Sequence, residues 1–255
     1  MAAPAQAPGH PEILRIVAPN PGPMTLDGTC TYLYGSDPCL VIDPGPEERS
    51  HIEAVRAAGE DRGGIEAVLV THGHGDHNAG VGMLGVEEVR LADGESHAGL
   101  TAIATPGHAT DHLAYLTNPA APGRAAEEAA GIACFSGDLV LGSGSTIVPP
   151  EPGAMSNYIG SLRRLQELEL ELICPGHGPW ITDPAAKLEE YVEHRLMRER
   201  RLLAALERGE RSRAALLAEV WDDVPEPLRP AAGVAMQAHL DKLEDEGRLP
   251  ADLEA

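Results

Sequence analysis

Lysine is almost missing from this chain. Only Lys187 and Lys242 occur, the other basic residues are Arg, and 19 Lys and Arg face 40 Asp and Glu for a formal net charge of −21. A surface this acidic repels nucleic acid and anionic membranes at long range, which disfavours an RNA- or DNA-binding surface without excluding a locally positive metal site. Aromatic residues make up 3% of the chain, so its core must rest on Leu, Val, Ile and Ala. The four cysteines, Cys30, Cys39, Cys134 and Cys174, form no CxxC pair; Cys39 and Cys134 fall in apolar, strand-like runs and read as small core residues. No apolar run approaches the length of a membrane span. Residues 1–9 contain Pro but no charged start and no long apolar stretch, so neither a signal peptide nor an anchor is expected, and a reducing cytoplasm is the expected compartment. What remains is ordinary for a globular protein: 43% apolar residues in a chain of 255, enough for one large α/β domain and a small appendage.

One stretch dominates, Val70-Thr71-His72-Gly73-His74-Gly75-Asp76-His77-Asn78. It carries four metal-capable side chains within six residues. His72 and His74 are two apart and point to the same side of an extended chain. Gly73 and Gly75 let the backbone bend and bring Asp76 and His77 into the same space. The run from Ile65 to Val70 reads as a buried strand, so the cluster lies where a strand ends and a loop begins. Neutral imidazoles with a carboxylate are ligands that Zn²⁺ prefers.

Around this stretch the pattern alternates between strands and helices. Residues 1–12 read as a loose Pro/Ala tail. Strands are expected over residues 13–17, 30–34, 39–42 and 65–70, then within 94–104 and over 113–116, 132–135 and 170–173. Helices are expected over 47–58, with acids in the first turn, 79–84 and 158–168. Residues 118–131 read as a mobile loop. From Pro184 the pattern becomes helical: a long helix through Leu206, a second capped by Ser212, a linker turn at 225–230 and a third helix over 234–243. The expected organisation is a tail (1–12), a main domain (13–184) and a C-terminal helical module (185–255).

His108, Asp138 and His177 each follow a strand and a Gly turn, and strand ends on one edge of a sheet converge. Together with the first cluster they make five His and two Asp, too many for one tetrahedral ion and right for two ions sharing a bridging carboxylate. These motifs, with Val41-Ile42-Asp43-Pro44-Gly45, resemble the metallo-β-lactamase superfamily over residues 13 to about 182. The resemblance implies an α/β fold, the four-layer αββα sandwich with metals at one edge. It implies that His72, His74 and His108 hold a first divalent metal ion, that Asp76, His77 and His177 hold a second, and that Asp138 bridges both. Zn²⁺ is the expected metal, with Mn²⁺ or Fe as alternatives. Asp43 matches the family's upstream Asp and is assigned to orienting a ligand; on local grounds a turn-forming Asp before Pro-Gly is equally good. His112 is read as a neighbour of the site. Of the other histidines, His10, His51, His97, His194 and His239 have no motif support.

Two divalent ions, Asp76, Asp138 and a bridging hydroxide sum to about +1. Metal-bound water has a pKa of roughly 7, so hydroxide is available at neutral pH for attack on a carbonyl or phosphorus centre. Asp76 is the candidate for proton transfer. The expectation is a dinuclear metal-dependent hydrolase of a small ester, thioester or phosphodiester. The C-terminal part, with Tyr191-Val192-Glu193-His194-Arg195 and residues 238–247, resembles the branch called beta-lactamase-like protein 2, which carries a winged-helix-like tail and of which some members cleave single-stranded RNA. Alternatives are therefore a single-strand endoribonuclease, a hydroxyacylglutathione hydrolase (glyoxalase II-like) thioesterase, or a ligand-sensing DNA-binding regulator. The arginines at 195, 198, 200, 201, 208, 211 and 213 could meet phosphates or pair along the helix with Glu199, Glu207 and Glu210; the second is preferred. The tail could instead dimerise the chain or cover the pocket. Two features depart from the branch. Residues 78–104 are short, which should alter one wall of the pocket, and Cys30 stands where relatives often have Asn.

Overall fold

The computed structural model describes residues 3–118 and 131–253. The loop expected over 118–131 therefore lies almost wholly outside the described residues. Period-two patterning builds two sheets. The first has the order β1 (Ala5–Ala7), β2 (His10–Val17), β3 (Cys30–Tyr34), β4 (Cys39–Ile42), β5 (Ile65–Leu69) and β6 (Glu87–Glu88). Helix α1 (Arg49–Glu60) connects β4 to β5, which run parallel. The second has the order β11 (Leu170–Pro175), β10 (Ile132–Gly137), β9 (Leu113–Thr117), β8 (Leu100–Ala104) and β7 (Ser96–His97). Helix α4 (Ala154–Gln166) connects the parallel pair β10 and β11.

Alternation decides which layer each residue joins. Tyr32, Leu40, Ile42 and Leu69 face Ala102, Tyr115, Phe135 and Leu172 of the other sheet. The intervening Leu33, Val41 and Val68 face Ile52 and Val55 of α1. Cys134 and Ile173 point the other way, to Tyr158 and Leu162 of α4 and to Leu188 and Tyr191 of α5 (Pro184–Glu207). The result is the expected four-layer αββα sandwich. Its few aromatics are concentrated rather than spread. Phe135, the only Phe, meets Tyr32 at 5.3 Å and Tyr34 at 6.2 Å between ring centroids, and Trp180 closes on Tyr32 at 5.5 Å.

Several expectations are corrected. Residues 5–12 are no loose tail: β1 pairs with β2, and Pro11 falls on β2 where their register shifts, an irregularity at which a missing N–H is tolerated. Helix α1 starts at Arg49, after Glu47; Glu48 is its N-cap and accepts from Ser50 N, so the acids precede the first turn. Helix α6 (Arg213–Val220) has Ser212 at its N-cap, but that side chain makes no capping bond. The turn expected at 225–230 is a single 3₁₀ turn (Glu226–Leu228) leading straight into α7 (Arg229–Asp245). Position 184/185 is no boundary between cores. The first half of α5 packs on the sandwich, while its Leu202, Ala205 and Leu206 join Leu216, Val220, Trp221, Met236 and Leu240 in a separate core with α6 and α7. Among the described residues no strand follows β11.

Most of these arginines are ion-paired, but not mainly along α5. Arg198 pairs with Asp223 at 2.8 Å, Arg201 with Asp222 at 2.9 Å and Arg211 with Asp252 at 2.7 Å, while Arg208 meets Glu219. Glu199 instead takes Lys242 at 2.8 Å and Arg248 at 3.2 Å. The α6 connection and the chain's end bring acids closer than the i,i+4 neighbours.

His239 of α7 is fully buried, and neither ring nitrogen has a hydrogen-bond partner. Burial, with the charges of Arg195, Lys242 and Arg198 and with His194 nearby, pushes it from 6.5 to about 3. A depressed imidazole binds its proton more readily unfolded, so its contribution is complete above pH 6.5 and is lost as pH falls towards 3. At pH 4.5 that loss is about 3 kcal/mol. Urea denaturation of His239→Leu at pH 7.5 and 4.5 should show a pH dependence shallower by that amount than the parent's; identical slopes would remove His239 from the balance.

Candidate metal centre

The strand ends of both sheets meet at one edge. Thr71 and His72 leave β5, and His74 is the N-cap of α2 (Gly75–Asn78), the single turn that carries Asp76 and His77. His108 follows β8, Asp138 follows β10 and His177 follows β11. A bridge between Thr29 and His177 ties the two sheet edges together.

All seven expected ligands come together. His72 Nε2 lies 2.9 Å from His74 Nδ1, and His108 Nε2 lies 3.1 Å from the same atom. On the other side, His177 Nε2 is 3.3 Å from both Asp76 Oδ2 and Asp138 Oδ1. His77 Nε2 is 3.5 Å from Asp76 Oδ2 and 3.4 Å from Asp138 Oδ1. The second oxygen, Asp138 Oδ2, faces His108 Nε2 at 3.7 Å. Two triads, His72/His74/His108 and Asp76/His77/His177, thus flank one carboxylate, and the atoms of each triad lie within 4.8 Å of one another, close enough to hold an ion.

The outer ring nitrogens are tied down, which aims the inner ones. His77 Nδ1 meets Asp43 Oδ2 at 2.9 Å, His108 Nδ1 the carbonyl of Ile147 at 2.8 Å and His177 Nδ1 the carbonyl of Gly28 at 3.3 Å. His72 Nδ1 has Thr71 Oγ1 at 3.0 Å. Asp43 sits at φ 49°, a left-handed conformation that Asp tolerates better than most residues. There it accepts from both Thr71 N (2.7 Å) and Thr71 Oγ1 (2.8 Å), clamping the end of β4 to that of β5. Replacing Asp43 by Ala removes this clamp and the orienting bond to His77. Metal affinity or activity should fall roughly 10- to 100-fold, measured by competition with a chelating dye; an unchanged affinity would reduce Asp43 to a turn former. His112 stacks on His72 at 5.1 Å and its Nδ1 meets Thr105 Oγ1 at 2.8 Å; it belongs to neither triad.

Charge is polarised across the centre. Burial, with His77 and His112 nearby, pushes His72 down to about 2, and burial lowers His108 as well. Burial opposes charge on the opposite triad too, but the carboxylates of Asp138 and Asp76 beside it raise His177 to about 9. Burial would raise Asp138; His77 and His177 outweigh it and hold that carboxyl well below its usual range.

Sequence reasoning missed several supports. Thr29 Oγ1 donates to Asp76 Oδ2 at 3.3 Å and is itself fixed by Asn20 Nδ2 at 2.9 Å. Arg195, 3% exposed, donates to Ser145 Oγ and to the carbonyl of Thr146, each at 2.7 Å, and so anchors the segment whose Ile147 carbonyl orients His108. Cys30 is buried on β3 with its thiol 3.8 Å from the carbonyl of Gly178, under the loop that carries His177. The groove over the centre, about 550 Å³, is walled by Met24, residues 108–111, Ile147, Pro149 and Glu151. No residue from 78 to 104 lines it, so the short segment does not form the wall that was expected to change. Asn78, Val81 and residues 88–91 line a different cavity behind His72 and Gly73.

Comparison with known proteins gives the family. The Metallo-beta-lactamase superfamily model matches residues 24–86, and the Beta-lactamase associated winged helix domain matches residues 212–251. A Beta-lactamase-like protein 2 homolog from Caenorhabditis elegans is 32% identical over 265 residues, covering 92% of this chain and 85% of that protein. An Atrochrysone carboxyl ACP thioesterase from Aspergillus fumigatus is 34% identical over 268 residues, covering 95% of this chain and 76% of that protein. A metallo-beta-lactamase family protein from Thermus thermophilus shares the fold with a TM-score of 0.72 at 21% identity, covering 93% of this chain and 94% of that one. The chain belongs to the metallo-β-lactamase superfamily and is a metal-dependent hydrolase of that family, with a winged-helix domain at its C-terminal end. Among the relatives, the similarity to beta-lactamase-like protein 2 homologues extends along nearly the whole chain.

Proposed function

We propose that this chain is a dinuclear metal-dependent hydrolase of small carboxylic esters and thioesters. The observation that carries the proposal is the placing of Asp138 between two triads, one oxygen towards each. The donor set fits divalent ions, with Zn²⁺ first and Mn²⁺ or Fe as alternatives: His77 Nε2 and Asp138 Oδ1 are buried without hydrogen-bond partners, and such atoms are costly unless something engages them. His72, His74 and His108 would hold one ion, Asp76, His77 and His177 the other, and Asp138 both. When bound, such a pair supplies a hydroxide at neutral pH and an electrophile for the oxygen of the scissile carbonyl.

The chain's own groups do the rest. Asp43, Ile147 and Gly28 fix the imidazoles before substrate arrives. Asp76 and Asp138 both line the groove, and the greater exposure of the Asp76 side chain, 30% against 12%, supports Asp76 as the carboxylate that takes a proton and returns it to the leaving group. The thioester reading draws on the similarity, over 95% of this chain, to a protein named as an ACP thioesterase. A small substrate is favoured over RNA because Arg198, Arg201, Arg208 and Arg211 are paired with acids. The test is elemental analysis of purified protein alongside a panel of lactoylglutathione, simple acyl thioesters, a phosphodiester, RNA and a β-lactam. Two metals per chain and thioester hydrolysis lost on His74→Ala are expected. A fully folded protein that binds no metal, or one active only on RNA, would overturn the proposal.

A further inference from the structure

A second cavity, about 280 Å³, opens beside the centre. It shares Met24, His108, Asp138 and Ile147 with the groove over the ligands, so the two spaces adjoin at the metal edge. From there it runs away from the sandwich, between Leu26 and Leu141 on one side and Trp221, Val224 and Leu228 of the C-terminal module on the other. Three large apolar side chains are exposed among the described residues, Met24, Leu228 and Val234, and the first two stand on this cavity's wall. The cationic groups in the wall are engaged within the protein. Arg195 donates to Ser145 and Thr146, and Arg198 donates to Asp223 and the carbonyl of Val220. The cavity therefore requires no counter-charge from its occupant, and its open wall is apolar.

We infer that this cavity holds the acyl group of the substrate, an unbranched apolar chain of roughly eight to ten carbons, with the C-terminal module as half of the binding wall. The inference rests on the hydrolase reading above and deepens it. Size follows from volume: at about 30 Å³ per water-sized atom the cavity takes roughly nine non-hydrogen atoms. Direction follows from the shared wall, because an acyl chain lying here brings its carbonyl to the His108–Asp138 edge and leaves the thiol portion in the open groove. In the reaction, the oxygen of water bonds to the carbonyl carbon and the carbon–sulfur bond breaks. Sulfur leaves with a proton as a free thiol, and the other product is the fatty acid, ionised at neutral pH.

The test uses the full, metal-loaded chain with N-acetylcysteamine thioesters of acetic, butyric, octanoic and hexadecanoic acids. We expect kcat/KM to rise roughly 100-fold from acetyl to octanoyl, as methylenes leave water, and to fall again at hexadecanoyl. Leu228→Asp, at an exposed position, should cut the octanoyl-to-acetyl ratio about tenfold. A binding readout independent of turnover comes from Trp221: in a Trp180→Phe background, octanoate should shift its fluorescence, and Leu228→Asp should weaken that response. Equal rates for all chain lengths would overturn the acyl cavity while leaving the hydrolase reading intact. No thioester hydrolysis combined with an octanoate response would uphold the cavity and overturn that reading. No response to octanoate would overturn the cavity whatever the rates.

Discussion

Asp138→Asn is expected to lower kcat/KM by roughly a thousandfold, with the fold preserved. The carboxylate offers one oxygen to each triad; the amide can offer oxygen to only one and presents an NH₂ to the other. The centre also loses a unit of negative charge in a site where His72, His74, His77, His108 and His177 bring none. Losing several kcal/mol of electrostatic stabilisation corresponds to a rate loss of this order. Elemental analysis should find fewer than two metals per chain, and circular dichroism should match the parent. Activity within tenfold of the parent, at full metal content, would remove the bridging role.

Phe135→Ala is expected to destabilise the chain by about 3–5 kcal/mol, the range for a buried Phe truncated in a packed core. The effect should fall at the upper end because aromatics are so few. The ring is 1% exposed, sits on β10 between the sheets and touches Tyr32 and Tyr34 of the facing sheet. No other Phe can take its place. Urea denaturation monitored by circular dichroism measures the loss; a change below about 1 kcal/mol would mean that the sheets repack around the gap.

The seven clustered side chains are legible in the sequence because each stands next to a strand end and a Gly turn, features written locally in the chain. The sandwich is legible through those same motifs, whose resemblance to the metallo-β-lactamase superfamily implies it; in the structure residues 30–34, 39–42 and 132–135 alternate between the layers they face. What cannot be read depends on packing. The Ile147 carbonyl that orients His108 carries no side-chain signal, and Arg195 becomes its anchor only once α5 lies against residues 145–146. The arginine partners are misassigned from sequence because helix spacing considers only neighbours on one helix, whereas Asp222, Asp223 and Asp252 arrive from distant parts of the chain. Strand β1 is hard to read because three residues beside prolines make a weak pattern and its pairing with β2 is irregular. Asp43 is half legible: its motif marks it, but the clamp on Thr71 needs two parallel strand ends side by side.

Helix α5 is common property of two cores. Leu188, Tyr191 and Val192 belong to the sandwich, and Leu202, Ala205 and Leu206 to the module beyond. Tyr191 also donates its hydroxyl to the carbonyl of Gly144. A shared helix leaves no place to cut. Truncation at residue 184 would strip α4 and the second sheet of their cover, and truncation at 207 would leave an apolar helix end facing water. The hydrolase and its C-terminal module should therefore melt together in one calorimetric transition. In descent the module would then behave as an organ of the catalytic domain, altered in step with it and not exchanged as a separate cassette.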